Sequence, residues 1–180
     1  MDMLTETIRE EKISIGTRLG TMLLDHVIMT GIMMIFFLPS MMSVFIDPIT
    51  GSNKPNPDFL AGSLGNLALF GFSLYFCKDI INGRSFAKRI LKLQLVNNST
   101  GQVADPIRCF VRNIFCILWP IEVIVGMTNT TRRIGDFVAG TKLIEFNPSL
   151  EQPRLNIGKI VLVLAISYGL ILLLTLGLRN

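Results

Sequence analysis

Long apolar runs separated by short polar stretches dominate the chain. Three of them reach the roughly 20 residues that a helix needs to cross a bilayer core: Leu19 to about Ile46, Phe59 to Ile81 and Ile160 to Leu178. A fourth run, Ile107–Met127, is apolar but interrupted. It carries Arg108 and Arg112 near its start, Pro120 at its middle and Glu122 just beyond. Pro120 lacks a backbone donor and disfavours helix at Trp119. With Glu122 following, it also reads as a fresh helix start. Asp105-Pro106 reads as an N-cap followed by proline in the first turn. The pattern therefore predicts two half-helices, about 106–118 and 120–127, that return to one side in preference to a full crossing. Broken backbone at membrane depth must then be buried in protein.

Two short stretches alternate like strands. These are Leu91–Val96, followed by the turn-rich Asn97–Gly101, and Thr141–Phe146. They can pair only if the interrupted run does not cross. The expected fold is an all-α membrane protein. It has three transmembrane helices, a re-entrant or fourth helical segment, and a short cytoplasmic β-strand pair. Along the chain this divides into a cytoplasmic N-terminal segment 1–14, a membrane domain 15–146, a linker 147–156 and a further transmembrane helix 157–180.

Lysine and arginine set the orientation. Residues 1–18 hold Arg9, Lys12 and Arg18, whereas Asp47–Asp58 holds Lys54 and two acids. Residues 82–112 and 128–156 are again basic. The N-terminus and both later loops are expected in the cytoplasm, and Asp47–Asp58 outside. Arg84, Lys88, Arg89 and Lys92 are the candidates for anionic headgroups.

Composition sharpens the class. Of 180 residues, 50% are hydrophobic and only 17% charged, with a mean hydropathy of +0.54. A soluble domain carries about 25% charge, so a soluble helical domain and a disordered chain are both disfavoured. The net charge of +4 fits basic membrane-flanking loops, and no nucleic-acid partner is expected. The leader Met1–Lys12 is acidic, unlike a signal peptide. Cys77, Cys109 and Cys116 sit in or beside apolar helices and read as buried free thiols. Sequons at Asn97, Asn98 and Asn129 matter only in a secreted loop. Methionine enrichment of the first helix fits adaptable packing better than copper binding. No catalytic motif, cofactor or metal site is expected.

The informative residues are the charges inside apolar segments, because each is costly without a partner. Asp25 lies seven positions beyond Arg18, two near-complete turns along one helix face. His26 follows, turned about 100° away. Arg18, Asp25, Asp136 and His26 are the candidate ion or proton site. Asp79, Arg112, Glu122 and Arg133 are candidates for a supporting polar network. Two readings stay open: an ion-pair network that only pins helices, and a cation or proton site centred on Asp25.

The order of these residues carries a resemblance. Arg18-Leu19 with Asp25 is followed by Gly83-x-Ser85-x-x-Lys88-Arg89, by Leu93-x-Leu95-Val96, by Gly101, and by Arg112-Asn113. The run closes with Arg133-x-Gly135-Asp136-x-x-Ala139-Gly140-Thr141. This pattern resembles the RDD family of small integral membrane proteins over roughly Ile15–Phe146. The resemblance makes Arg18 the naming arginine and Asp25 and Asp136 the two aspartates. Ala87 stands where the family often has glycine. A transport role has been proposed for the family without an agreed substrate, and with Asp25 as the site the expectation is a cation- or proton-linked transporter in a bacterial cytoplasmic (inner) membrane, acting as an oligomer because the chain is short for a transporter. The alternative is a scaffold subunit that binds another membrane protein or anionic lipid.

Overall fold

The computed structural model describes residues 13–49, 60, 62–128, 132–148, 150 and 152–179. Most of the connection Asp47–Asp58, the leader and the Asn129 sequon lie outside the described residues. Helix α1 spans Ile15–Ile49. Ser14 starts it, its hydroxyl accepting from the Thr17 N–H at 3.0 Å. Helix α2, Gly62–Phe76, runs back along α1. The contacts show the direction: Phe37 meets Phe72 far along α1, and His26 meets Tyr75 nearer its start. Helix α7, Ile157–Arg179, packs on α2, with the Ser167 hydroxyl donating to the Ser73 carbonyl at 3.3 Å.

Two described helices, Ile15–Ser43 and Ile157–Leu178, are long and apolar enough to cross a membrane. Most of the large apolar side chains along α7, such as Leu173 and Leu174, are exposed. Such a surface is favourable against lipid or another apolar partner and not against water. The second expected span is shorter than the sequence suggested. The helix stops at Phe76, and residues 77–83 form turns. Fifteen residues rise only about 22 Å. The apolar pattern continued to Ile81 because Cys77 and Ile80 enter a protein core, not because the helix goes on.

The segment after α2 folds into a small cap. Helix α3 is Phe86–Ile90 and strand β1 is Leu93–Asn97. Helix α4, Pro106–Ile114, has Asp105 as N-cap and proline in its first turn, as its sequence dictates. A 3-10 turn, Phe115–Leu118, leads to α5, Trp119–Thr128. Helix α6 is Ile134–Ala139 and strand β2 is Thr141–Glu145. The strands pair antiparallel with Leu95 opposite Leu143. The strands flank α4, α5 and α6 in the chain, so their pairing brings the two ends of that segment together. The two arms, Pro106–Leu118 and Pro120–Thr128, meet at 109°. With that bend the two arms are not one straight helix.

The core lies where the sheet meets the helices. Leu93, Leu95 and Leu143 pack with Cys77, Ile80, Cys109, Phe110 and Val163. Val163 comes from α7, so the last helix is tied into the core rather than appended to it.

Candidate functional site

Eight charged side chains meet where the cap joins the bundle. Arg18 and Asp25 come from α1, Asp79 from the turns after α2, and Lys88 from α3. Arg112 comes from α4, Glu122 from α5, and Arg133 and Asp136 from the start of α6. All eight are buried. Four are cations and four are anions.

Their ion pairs form a chain. Lys88 Nζ lies 2.7 Å from Asp25 Oδ2 and 2.8 Å from Asp79 Oδ1. Arg112 Nη1 reaches Asp79 Oδ2 at 2.9 Å, and its Nε donates to Asp136 Oδ1. Arg18 Nη2 closes on Asp136 Oδ2 at 3.2 Å. Arg133 Nε lies 3.4 Å from Glu122 Oε2, whose other oxygen accepts the Gly135 N–H at 2.8 Å. A buried charge needs such partners, since stranding one leaves its desolvation cost unopposed.

Asp136 is the hub. Besides two arginines it accepts the Arg133 backbone N–H at 2.9 Å and the Thr141 hydroxyl at 2.8 Å. Burial alone would push its carboxyl up. Arg112, Arg133 and Arg18 together outweigh that and hold it at about 2.

Local sequence explains the placement. Asp136 caps its own helix by binding the Arg133 N–H three residues back. Gly135 is required because a Cβ there would lie 2.3 Å from the Arg112 carbonyl oxygen. Gly140, at φ 63°, ends α6 in the left-handed conformation and turns the chain into β2. On the other side, Ser85 caps α3 by accepting from the Lys88 N–H. The same hydroxyl lies 3.2 Å from Lys88 Nζ. Ser85-x-x-Lys88 thus starts a helix and aims an ammonium with one motif.

Sequence reasoning brought most of this set together. Arg18, Asp25, Asp79, Arg112, Glu122, Arg133 and Asp136 all converge. Asp25 is held by Lys88, and Arg18 reaches Asp136. Lys88 is not on a headgroup surface but 0% exposed. The basic run misled because α3 is short and only one of its faces meets water, so Arg89 and Lys92 are exposed while Lys88 points inward. Arg84 stacks over the Phe146 ring at 3.9 Å. His26 meets α2, its Nδ1 2.9 Å from the Tyr75 hydroxyl. Ser85 and Thr141 were missed as contributors. The Ser-x-x-Lys and Gly-Thr spacings were the available signals.

All three cysteines are free and buried. No curated protein and no solved structure matches the chain. The RDD family profile matches residues 13–179, through α7 and therefore beyond the stretch whose motifs carry the resemblance. A match of that extent settles its membership: the chain belongs to the RDD family and is an integral membrane protein.

Proposed function

We propose that the chain exchanges a monovalent cation for a proton, with Lys88, Asp25 and Asp79 as the exchanging group. The observation that carries this is the single lysine that bridges two buried aspartates in a cluster otherwise held by arginines. An arginine keeps its proton under all ordinary conditions, whereas a lysine ammonium can give one up. When Lys88 releases its proton, Asp25, Asp79 and the Ser85 hydroxyl are left as hard oxygen ligands around one vacated charge. A monovalent cation entering there restores the four-to-four balance. Its departure returns the proton to Lys88. Each exchange moves one positive charge each way.

In this reading the chain leaves through α1, returns through the shorter α2 and ends in α7, with α4–α5 re-entrant; the strand pairing and the 109° bend between the arms support it. The basic loops favour a cluster at the cytoplasmic face and a cytoplasmic N-terminus. Cysteines introduced at exposed Ser99 and Arg154 should label from the same side of the membrane. Labelling from opposite sides would reject the hairpin.

The test is cation-driven pH change in proteoliposomes of matched protein content. Wild type should exchange, and Lys88→Arg should not, although it keeps the charge. Asp25→Asn should also lose exchange while remaining folded. Equal flux in all three, or none in wild type under Na⁺, K⁺ or Li⁺ gradients, would defeat the proposal. A second reading is favoured by the exact charge balance itself: a cluster that only pins the cap to the bundle of a scaffold subunit. Co-purification of a stoichiometric partner in mild detergent, with no flux, would select it.

A further inference from the structure

A second polar feature lies outside the ion-pair cluster. Between the β1–α4 connection and the segment leading into α7 is a cavity of about 370 Å³. That volume suits a small molecule or a lipid headgroup. Arg108, Arg154 and Lys159 line it, against a single carboxylate, Asp105. Both Asp105 oxygens are already engaged. Oδ1 takes Lys159 Nζ at 2.7 Å, and Oδ2 takes the Ile107 N–H at 3.2 Å.

The remaining lining is rich in donors. Asn97 Oδ1 accepts the Ser99 N–H, so its amide NH₂ group is left to donate. The Thr100 hydroxyl oxygen accepts the Gln102 N–H, and its own proton stays available. Arg108 spends one nitrogen on the Ala139 carbonyl and keeps the rest of its fork. Arg154 makes no hydrogen bond or ion pair among the described residues. The Lys159–Asp105 pair is half-exposed, and an exposed pair of this kind holds weakly enough for a stronger anion to share the lysine. The cavity therefore has a surplus of two positive charges and of donors, and no spare acceptor of full charge. A phosphate group answers both surpluses, since it brings negative charge and several acceptor oxygens to arginine and lysine.

We propose that this cavity binds a phosphate-bearing anion, either the headgroup of an anionic phospholipid or a soluble phosphorylated molecule. The site adjoins the first turn of α7, where the chain enters lipid, so either source can reach it.

The test uses the purified full chain in detergent at constant ionic strength, with sodium chloride as the control. The probes are short-chain dihexanoyl phosphatidylglycerol and glycerol 3-phosphate. The readout is the thermal midpoint against probe concentration. At least one probe should raise the midpoint. The double variant Arg154→Gln/Lys159→Gln should need about tenfold more of it, because two charge-assisted contacts are gone. Protection by the lipid alone identifies a headgroup, and protection by glycerol 3-phosphate identifies a soluble ligand. Arg154→Gln alone, which breaks no pair among the described residues, should show a smaller loss in the same direction and covers the case in which the double variant folds poorly. No shift from either probe, or equal shifts in wild type and Arg154→Gln, would overturn the proposal.

Discussion

The two ends of the bundle are built on different rules. At the cap end, Arg18, Lys88, Arg112 and Arg133 each meet named carboxylates within hydrogen-bonding or ion-pair distance. At the far end, α1 and α2 meet through ring edges, Phe36 on Phe70 and Phe37 on Phe72, with centroids 5.8 Å and 5.5 Å apart. Phe70 in turn meets Tyr168 of α7. The cap end tolerates one arrangement, because moving any charge strands another. The far end needs only shape, because lipid is as apolar as the side chains it replaces and gives no large drive for a particular partner. Specificity in this small membrane protein is therefore concentrated in its most polar part.

The sharpest way to break that contrast is to remove the hub. Asp136→Ala leaves Arg18 and Arg112 facing no hub carboxylate and removes the cap of α6. The expected loss is about 3–5 kcal/mol, seen as aggregation or a collapsed thermal midpoint in detergent. Leu173→Ala, on the lipid-facing side of α7, should change stability by less than about 0.5 kcal/mol. Similar losses in the two variants would dissolve the contrast.

Adding a methyl group compares the ends by packing alone. At Gly135 the new Cβ meets a backbone carbonyl at 2.3 Å, which can yield only if α4 and α6 separate. At Gly71 it meets the Phe36 Cβ at 2.7 Å, across two helices bordered by lipid. Gly135→Ala should cost about 3 kcal/mol and Gly71→Ala nearer 1 kcal/mol. Urea or thermal unfolding of both proteins measures the order, and a reversed order would show that the far end is the stiffer.

A double-mutant cycle sharpens the cap end itself. Lys88→Met alone leaves Asp25 with no ion-pair partner among the described residues. Adding Asp25→Asn to it should restore about 1–2 kcal/mol, since the uncompensated buried charge is then gone. Additive losses would mean that the 2.7 Å contact carries no coupling.

The smallest effect is one of pH. The Asp136 carboxyl has an ordinary value of 3.8 and is held at about 2 in the fold. A lowered folded value stabilises the protein above 3.8, and that contribution is lost as pH falls toward 2. The thermal midpoint should therefore show an Asp136-dependent drop only below about pH 4, absent in Asp136→Asn. A drop of the same size in Asp136→Asn would assign the acid limb to other groups.

Several of these features were legible in the residues. Asp105-Pro106 announced the start of α4, Trp119-Pro120 marked the bend between α4 and α5, and alternation located both strands to within about two residues. Local chemistry suffices for such signals, because caps, prolines and period-two patterns act within a few residues of themselves. The ordered Arg18, Asp25 and Asp136 also identified the family, and the cost of charge in an apolar segment singled out seven of the eight clustered side chains, all but Lys88. What the residues could not decide was who holds whom. Arg18 and Asp25 share a helix face, yet their partners come from α6 and α3, 118 and 63 positions away. Lys88 looks like its neighbours Arg89 and Lys92 in sequence, and only the docking of α3 against α1 turns it inward. The same holds for the end of α2, where apolar residues continue past Phe76 but serve the core beneath the sheet. Sequence determined which groups must be paired and where the chain must bend. The tertiary structure alone chose the partners, because long-range ion pairs are selected by how whole elements dock, and docking is a property of the packed chain rather than of any stretch of it.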